Sequence, residues 1–268
     1  MALFRSPDIA GPGVRKDAPE KRGIFVFFEL FKRHYGKLLS AGLLKAVLSL
    51  IILPSGLGAV GSARVARIAA RDRHSFKSDF REAVSENLGL ALISGIINSL
   101  LSAGSLFSVY YIFQENNINK NADIVSFLML ALSIFAFVII TFMRYYTPAL
   151  ILTFRLSIGQ LYKNAFLLAF GGFKRNFVIL FGHILVYALI LSPMLIDIYV
   201  GFGIAVCLYI LIAPPFTNLL IQYNIFPVMM KYLIEPFMKE HPGEGERTLR
   251  ELGLIDSEEE QVMQDEFE

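Results

Sequence analysis

The chain is poor in the residues from which disulfide scaffolds, metal centres and soluble surfaces are built. Its 268 residues include one cysteine, Cys207, four histidines and no tryptophan. A single cysteine excludes a disulfide within the chain and any CxxC metal motif. Charged residues make up 18% of the chain and hydrophobic residues 55%, and the mean hydropathy is +0.55. This composition is untypical of a soluble domain.

Four long runs contain no Lys, Arg, Asp or Glu at all. They are Leu88–Phe113, Ile124–Met143, Asn176–Ile196 and Ile198–Met230. A helix needs about 20 apolar residues to cross the hydrocarbon core of a membrane. The runs do not alternate apolar and polar residues, as strands of a membrane barrel would. The sequence therefore predicts an all-α, polytopic helical membrane protein with about five to six membrane segments and amphipathic helices on its cytosolic face.

Basic residues alternate between the loops that join these runs. Six Lys and Arg lie in 64–81 and five in 144–175, whereas 114–123 contains only Lys120 and 193–197 contains none. Short loops that are rich in Lys and Arg stay in the cytosol. We therefore expect 64–81 and 144–175 to be cytosolic, and both termini to lie on that side of the membrane.

The N-terminal quarter admits more than one arrangement. Residues 1–22 are polar with scattered Gly and Pro, and are predicted to be disordered. Residues 23–37 read as an interfacial amphipathic helix, or else as the first part of a longer membrane helix. The transmembrane domain, 38–235, then begins with an apolar stretch that PSG at 54–56 interrupts. This turn signal favours a short, Pro-broken hairpin that crosses twice or re-enters, and the alternative is a single span with an external N-terminus.

The C-terminal run and the tail behind it have opposite characters. Ile198–Met230 would extend for about 50 Å as a straight helix, but Pro214 and Pro215 predict a kink within it. From Glu235 to Glu268 there are twelve acidic residues and three Lys or Arg. Residues 236–268 are therefore predicted to form an acidic, mostly disordered cytosolic tail.

No group of ionisable residues has the spacing of a catalytic or metal site. None of the histidines has a partner three or four residues away that makes a zinc motif, and the glycines at 56–61 are not followed by the GK[ST] of a phosphate-binding loop. We therefore predict no enzymatic activity, no cofactor, no metal and no nucleic-acid partner. Lys45, in the first apolar arm, is expected to extend along its own stem to the cytosolic surface rather than to hold a substrate.

Four polar residues within the apolar runs are candidates for function. Polar side chains at membrane depth normally face protein or a water-filled cavity. These candidates are His183, Asn218, Gln222 and Asn224. For His183 the alternative is a neutral histidine that packs and hydrogen-bonds inside the bundle.

The segment 157–173 is longer than a simple connection needs. Apolar residues recur on one face of the predicted helix, with polar and basic residues mostly opposite. It is either a strut on the membrane surface, held by anionic lipid, or a docking surface for a partner. The candidate docking residues are Gln160, Lys163, Asn164, Lys174 and Arg175, together with Arg64, Arg67 and Arg71.

Four blocks of the sequence resemble the YesL-like family of bacterial integral membrane proteins. They are GPGVRKDAPEKRGIFVFFELFKRHYGKLL (11–39), LPSGLGAVGSARVARIAARDRHSFKSDFREAVSENL (53–88), YYTPALILTFRLSIGQLYKNAFLLAF (145–170) and YNIFPVMMKYL (223–233). In the second block the family usually has a GPATA-like run, where this chain has SGLGAVGSA. No block is a catalytic signature.

The resemblance implies a role in carbohydrate uptake at the bacterial plasma membrane. Members of this family are typically encoded beside carbohydrate ABC importers, so the expected function is that of an accessory membrane component of oligosaccharide import. Its expected partners are membrane lipid and an ABC permease, with the ATPase subunits as further candidates. The alternative is an independent secondary transporter or channel for a small solute, which the polar residues of the last run would serve.

Overall fold

The described chain is helical from end to end. The computed structural model describes residues 23–51, 54–73, 77–118 and 123–240, and contains no strand among them. The helices are α1 (Ile24–Ser49), α2 (Ser55–Ala70), α3 (Lys77–Glu86), α4 (Leu88–Ile118), α5 (Ile124–Thr153), α6 (Ile158–Gly171), α7 (Phe173–Leu191), α8 (Ile198–Met229) and α9 (Glu235–Glu240). A 3₁₀ turn, Ser192–Leu195, follows α7, and a π-helical turn, Met230–Ile234, follows α8.

Four helical segments are long and apolar enough to cross a membrane. They are Leu88–Asn116, Ile124–Thr153, Phe173–Leu195 and Ile198–Phe237. Large apolar side chains cover their outward faces; Phe107, Leu132 and Phe181, for example, are each about two-thirds exposed. In water such a surface would be unfavourable, whereas lipid tails accommodate it. The protein is therefore an all-α polytopic membrane protein, as the charge-free runs predicted.

The first two helices form the hairpin that PSG predicted. Helix α2 begins directly after Pro54, which suits the start of a helix because proline lacks the N–H that would be unpaired there. The two helices run antiparallel, because Gly58 of α2 lies against Lys45 of α1 while His34 of α1 bonds to Asp72 behind α2. The segment therefore contains two helices rather than one continuous helix.

The separate interfacial helix predicted over 23–37 is not observed. Helix α1 runs without interruption from Ile24 to Ser49, which is the alternative reading of that segment. No proline breaks the stretch, and Gly36 inside a helix costs only about 1 kcal/mol. Its buried side chains recur at helical spacing, from Phe27 and Leu30 through to Leu38, so that one face packs continuously against α2 and α8.

Glycines allow the hairpin to insert deeply into the bundle. Helix α2 crosses α4 where Gly56 meets Gly95, and a Cβ on Gly95 would lie 2.5 Å from the Gly56 nitrogen. Gly42 of α1 meets Pro214 of α8 at a similarly close approach. Small residues let helices pack at such separations, which brings the tip of the hairpin between α4 and α8.

The prolines of α8 create a free backbone carbonyl that α1 uses. Pro215 has no N–H, so the carbonyl of Leu211, four residues earlier, lacks its usual helical donor. The Tyr35 hydroxyl donates to that carbonyl at 3.1 Å. Helix α8 runs continuously through Pro214 and Pro215, and the carbonyl that Pro215 leaves free is a point of attachment between α8 and the hairpin.

Both ends of the described chain lie at the same end of the bundle. Two antiparallel pairs, α4 with α5 and α7 with α8, return the chain to this end, and the hairpin has both of its ends there too. The Tyr223 hydroxyl near the end of α8 donates to the Gly23 carbonyl at 3.4 Å. The predicted disorder of 1–22 and most of the acidic tail, 241–268, lie outside the described residues.

Candidate functional site

A cavity of about 750 Å³ lies between the hairpin and helices α4, α5, α7 and α8. Its wall carries many polar groups for a site inside a membrane bundle. The amides and hydroxyls that line it include Asn98, Ser99, Thr141, Thr217, Asn218 and Gln222. Two cations, Lys45 and Arg144, and the imidazole of His183 complete the polar part of the wall.

Three of the four intramembrane polar candidates meet at this cavity. His183, Asn218 and Gln222 line it from α7 and α8, and the last two are only 5% and 4% exposed. The fourth, Asn224, lies outside the lining and donates from Nδ2 to the Leu220 carbonyl at 2.9 Å, a bond within its own helix. Helical spacing explains the difference, because residues 218 and 222 share a face that 224 does not.

His183 lines the cavity, as a functional residue would, and it also packs and hydrogen-bonds inside the bundle, as the alternative predicts. Its Nδ1 lies 2.7 Å from the Ile179 carbonyl, which accepts a hydrogen bond from that nitrogen. The ring stacks on Tyr145, with centroids 5.6 Å apart and planes within 11°. Since Nδ1 carries the proton in this bond, Nε2 of the neutral ring is an acceptor.

The prediction that Lys45 extends to the cytosolic surface is wrong. Its Nζ donates to Oδ1 of Asn218 at 2.7 Å, across the interface between α1 and α8. Because an ammonium can only donate, this contact also fixes the orientation of the amide, with Oδ1 facing Lys45. The Nδ2 of Asn218 is buried and has no hydrogen-bond acceptor among the described residues.

The sequence predicts a cytosolic loop over 144–175 that begins at Arg144, but the structure places Arg144 in a helix. It belongs to α5, about 14 Å before the end of that helix. Its Nη1 donates to Oγ of Ser102 on α4 at 3.0 Å. The side chain stays accessible although many protein atoms surround it, because it faces the cavity.

The candidate docking residues divide into surface and structural groups. Gln160, Lys163, Lys174 and Arg175 are exposed, whereas Asn164, Arg64 and Arg71 are partly buried. Gln160 also closes a capping box with Ser157 at the start of α6. The apolar face of α6, which includes Leu161 and Leu168, is buried in the body of the protein.

Two of the arginines support the fold rather than an open surface. Arg67 is 4% exposed and donates from Nη2 to the Ala149 carbonyl at 2.8 Å. A partner cannot contact it, and we remove it from the docking surface. The guanidinium of Arg71 lies over the ring of Phe226, 4.3 Å from its centroid, so that part of this side chain stabilises the packing of α8.

The Tyr162 hydroxyl connects helix α6 to a side chain of the cavity wall. The Tyr162 hydroxyl lies 3.1 Å from Oδ1 of Asn98 and 3.2 Å from the Ser94 carbonyl, and donates towards them. Burial raises the pKa of Tyr162 to about 12, so the hydroxyl keeps its proton at physiological pH. Asn98 lines the cavity, and a movement of α6 would therefore displace part of that wall.

These features define a class: a polytopic helical membrane protein with a polar, positively charged cavity inside its bundle. No protein-family model matches the chain, and neither a curated protein nor a solved structure does. Within the described residues there is no group of His, Cys, Asp and Glu side chains that could hold a metal ion.

Proposed function

We propose that this protein takes part in solute uptake and binds a polar solute in the central cavity. The cavity itself carries the proposal, because buried amides and hydroxyls inside a membrane bundle require a partner or water. Its volume of about 750 Å³ falls within the range of about 300–1,000 Å³ that small-molecule sites occupy. A sugar-sized molecule would fit, in keeping with the resemblance to proteins encoded beside carbohydrate importers.

The supporting geometry favours a soluble compound over a lipid tail as the occupant. An alkyl chain would offer no partner to the polar groups of the wall that have none in the protein, such as the amide of Gln222 and the remaining donors of Lys45 and Arg144, at a cost of about 1–3 kcal/mol each. Hydroxyl groups of a carbohydrate can both donate and accept, and therefore match amides and serines in either orientation. The stacked pair of His183 and Tyr145 offers the flat surface against which a sugar ring can pack.

Reconstitution of the purified protein into liposomes tests this function. We expect uptake or specific binding of a labelled sugar, and its loss in Ser99→Phe, which places a ring in the cavity. Gly104→Phe is the matched control, since a side chain at Gly104 on the same helix meets nothing within 4 Å. Equal behaviour of the two variants, or no binding by the wild type, would overturn the proposal.

An accessory role beside an ABC permease is the second candidate, and the surface of α6 and α7 favours it. Lys163, Lys174 and Arg175 are exposed there, next to the exposed apolar side chains Phe166 and Phe170. Tyr162 connects this region to Asn98 of the cavity wall. Docking of a partner here would therefore change the shape of the solute site. In this role the chain would bind the permease or its ATPase and hydrolyse no ATP itself.

Pull-downs against permease and ATPase subunits distinguish docking from lipid attraction. Reversing Lys163 and Lys174 to Glu tests charge, and Asn164→Leu tests shape. Loss of the complex in either set supports docking. If the reversals alter only membrane association and Asn164→Leu changes nothing, α6 is a membrane strut.

The proposed location is the bacterial plasma membrane, with both termini in the cytosol. The shared end of the bundle at which the described chain begins and ends supports this orientation, as does the excess of Lys and Arg at 64–81 and 144–175. Reporter fusions near residues 5 and 260 test it, and an external signal from either fusion contradicts it.

A further inference from the structure

The cavity has an unbalanced charge. Lys45 and Arg144 line it, and no Asp or Glu does among the described residues. The carboxylates of Asp123 and Asp197 cap the N-termini of α5 and α8, and Asp72 pairs with Arg33 behind the hairpin. None of these is available to neutralise the two cations.

Both cations keep free donors after their protein contacts are counted. Lys45 uses one of the three donors of its ammonium for Asn218. Arg144 uses one of its five N–H groups for Ser102. No other hydrogen bond of either side chain is present in the described part of the chain.

Two protein contacts hold these donors in place. Ser102 accepts from Arg144 while its own hydroxyl proton goes to the Asn98 carbonyl at 2.7 Å. Asn218 accepts from Lys45 through Oδ1, which leaves its buried Nδ2 as a further donor without an acceptor. The cavity wall therefore offers an ammonium and a planar guanidinium, both of which only donate.

Lys45 and Arg144 carry charge of the same sign and line the same cavity. Like charges in a protein interior are unfavourable unless a counter-charge joins them. A guanidinium matches the geometry of carboxylate and phosphate oxygens, and an ammonium adds a point charge.

We propose that the solute bound in this cavity is an anion, a small polar compound that carries a carboxylate or phosphate group held by Lys45 and Arg144. The inference rests on the proposed function and narrows its solute class from polar to acidic. An anionic lipid headgroup has the same charged chemistry, but the polar wall around the cations favours a soluble acid.

Binding of a matched pair of sugars to the purified protein in nanodiscs tests the inference. Glucuronate and glucose differ by a carboxylate, and isothermal titration measures both. We expect glucuronate to bind at least about tenfold more tightly than glucose. Lys45→Gln and Arg144→Gln should each remove most of this preference, measured as the ratio of the two affinities.

Two exposed residues provide matched controls for the loss of one positive charge. Lys32→Gln lies on the same helix as Lys45, and Arg155→Gln lies just beyond the end of α5, the helix of Arg144. Both control variants should keep the preference for glucuronate. A similar loss in the controls would show that the effect comes from net charge, and would overturn the assignment to the cavity.

The remaining outcomes separate this inference from the function on which it rests. Equal binding of the two sugars, abolished by Ser99→Phe but unaffected by Lys45→Gln, keeps the proposed function and overturns the anion inference. If neither sugar binds, the anion inference and the proposed function are both overturned. Nanodiscs of phosphatidylcholine with and without phosphatidylglycerol address the lipid source: if phosphatidylglycerol displaces glucuronate competitively, the cavity is a headgroup site and the soluble-acid inference fails.

Discussion

The hydrogen bond between Lys45 and Asn218 is the contact on which the description of the cavity most depends. Asn218→Leu removes the acceptor, and Lys45→Met removes the donor while it keeps most of the side-chain volume. Hydrogen bonds to charged groups contribute about 1.5–3 kcal/mol. The 2.7 Å separation and the burial of Asn218 put this bond within that range.

The single variants alone would not measure this contribution. Asn218→Leu also removes the buried Nδ2 that has no acceptor, which relieves a cost of about 1–3 kcal/mol and offsets the loss of the bond. A double-mutant cycle cancels this effect, because the Nδ2 is removed with and without Lys45. We therefore expect a coupling free energy of about 1.5–3 kcal/mol between the two positions.

Reversible unfolding in mixed micelles, followed by circular dichroism during titration with sodium dodecyl sulfate, supplies the four free energies of unfolding. A control cycle combines Asn218→Leu with Lys32→Met, which is exposed on the same helix as Lys45 and should be additive. A coupling below about 0.5 kcal/mol for Lys45, the usual limit of additivity, would refute the placement of its ammonium in the cavity.

Three further predictions concern the packing of the helices. Gly95→Ala should destabilise the protein by about 1–3 kcal/mol, because its Cβ would meet the backbone of α2; Gly104→Ala, with open space around it, should not, and equal unfolding curves would contradict the crossing. Tyr146→Phe should cost about 1–3 kcal/mol, since it leaves the fully buried Asn176 without the hydroxyl that donates to Oδ1 at 2.7 Å; an unchanged free energy of unfolding would contradict this bond. Asp72→Ala should loosen the hairpin more than Asp72→Asn, because asparagine tolerates the φ of 57° and can still bond to α1. Limited proteolysis measures this as faster cleavage of the alanine variant, and equal cleavage of the two variants would contradict the reasoning.

The long helices were predictable because their signals are local. A charge-free run or a PSG turn acts within its own segment, so α4, α5, α7, α8 and the hairpin follow from patterns of neighbouring residues. Polar residues in an apolar run are also a local signal, because such side chains face protein or a water-filled cavity rather than lipid. This signal identified His183, Asn218 and Gln222.

The cationic part of the site could not be predicted in this way. Lys45 meets Asn218 across 173 residues of sequence, and no local pattern of α1 reveals that partner. The positive-inside rule counts charges and does not show where a helix ends. It therefore predicts a loop from Arg144 onwards, whereas α5 continues to Thr153. Arg67 was misplaced because burial of an arginine depends on an acceptor from another helix, here the Ala149 carbonyl.

Chemical accessibility of the cavity wall tests the central claim most directly. In a Cys207→Ser background, Ser99→Cys places a thiol on the wall, and Gly104→Cys places one on the exposed side of the same helix. A small anionic methanethiosulfonate reagent is applied to the protein in membranes. The account predicts rapid labelling at position 99, slowed by glucuronate, and little labelling at 104, where lipid excludes the reagent; no labelling at 99, or labelling at both positions alike, would contradict a polar cavity inside the bundle.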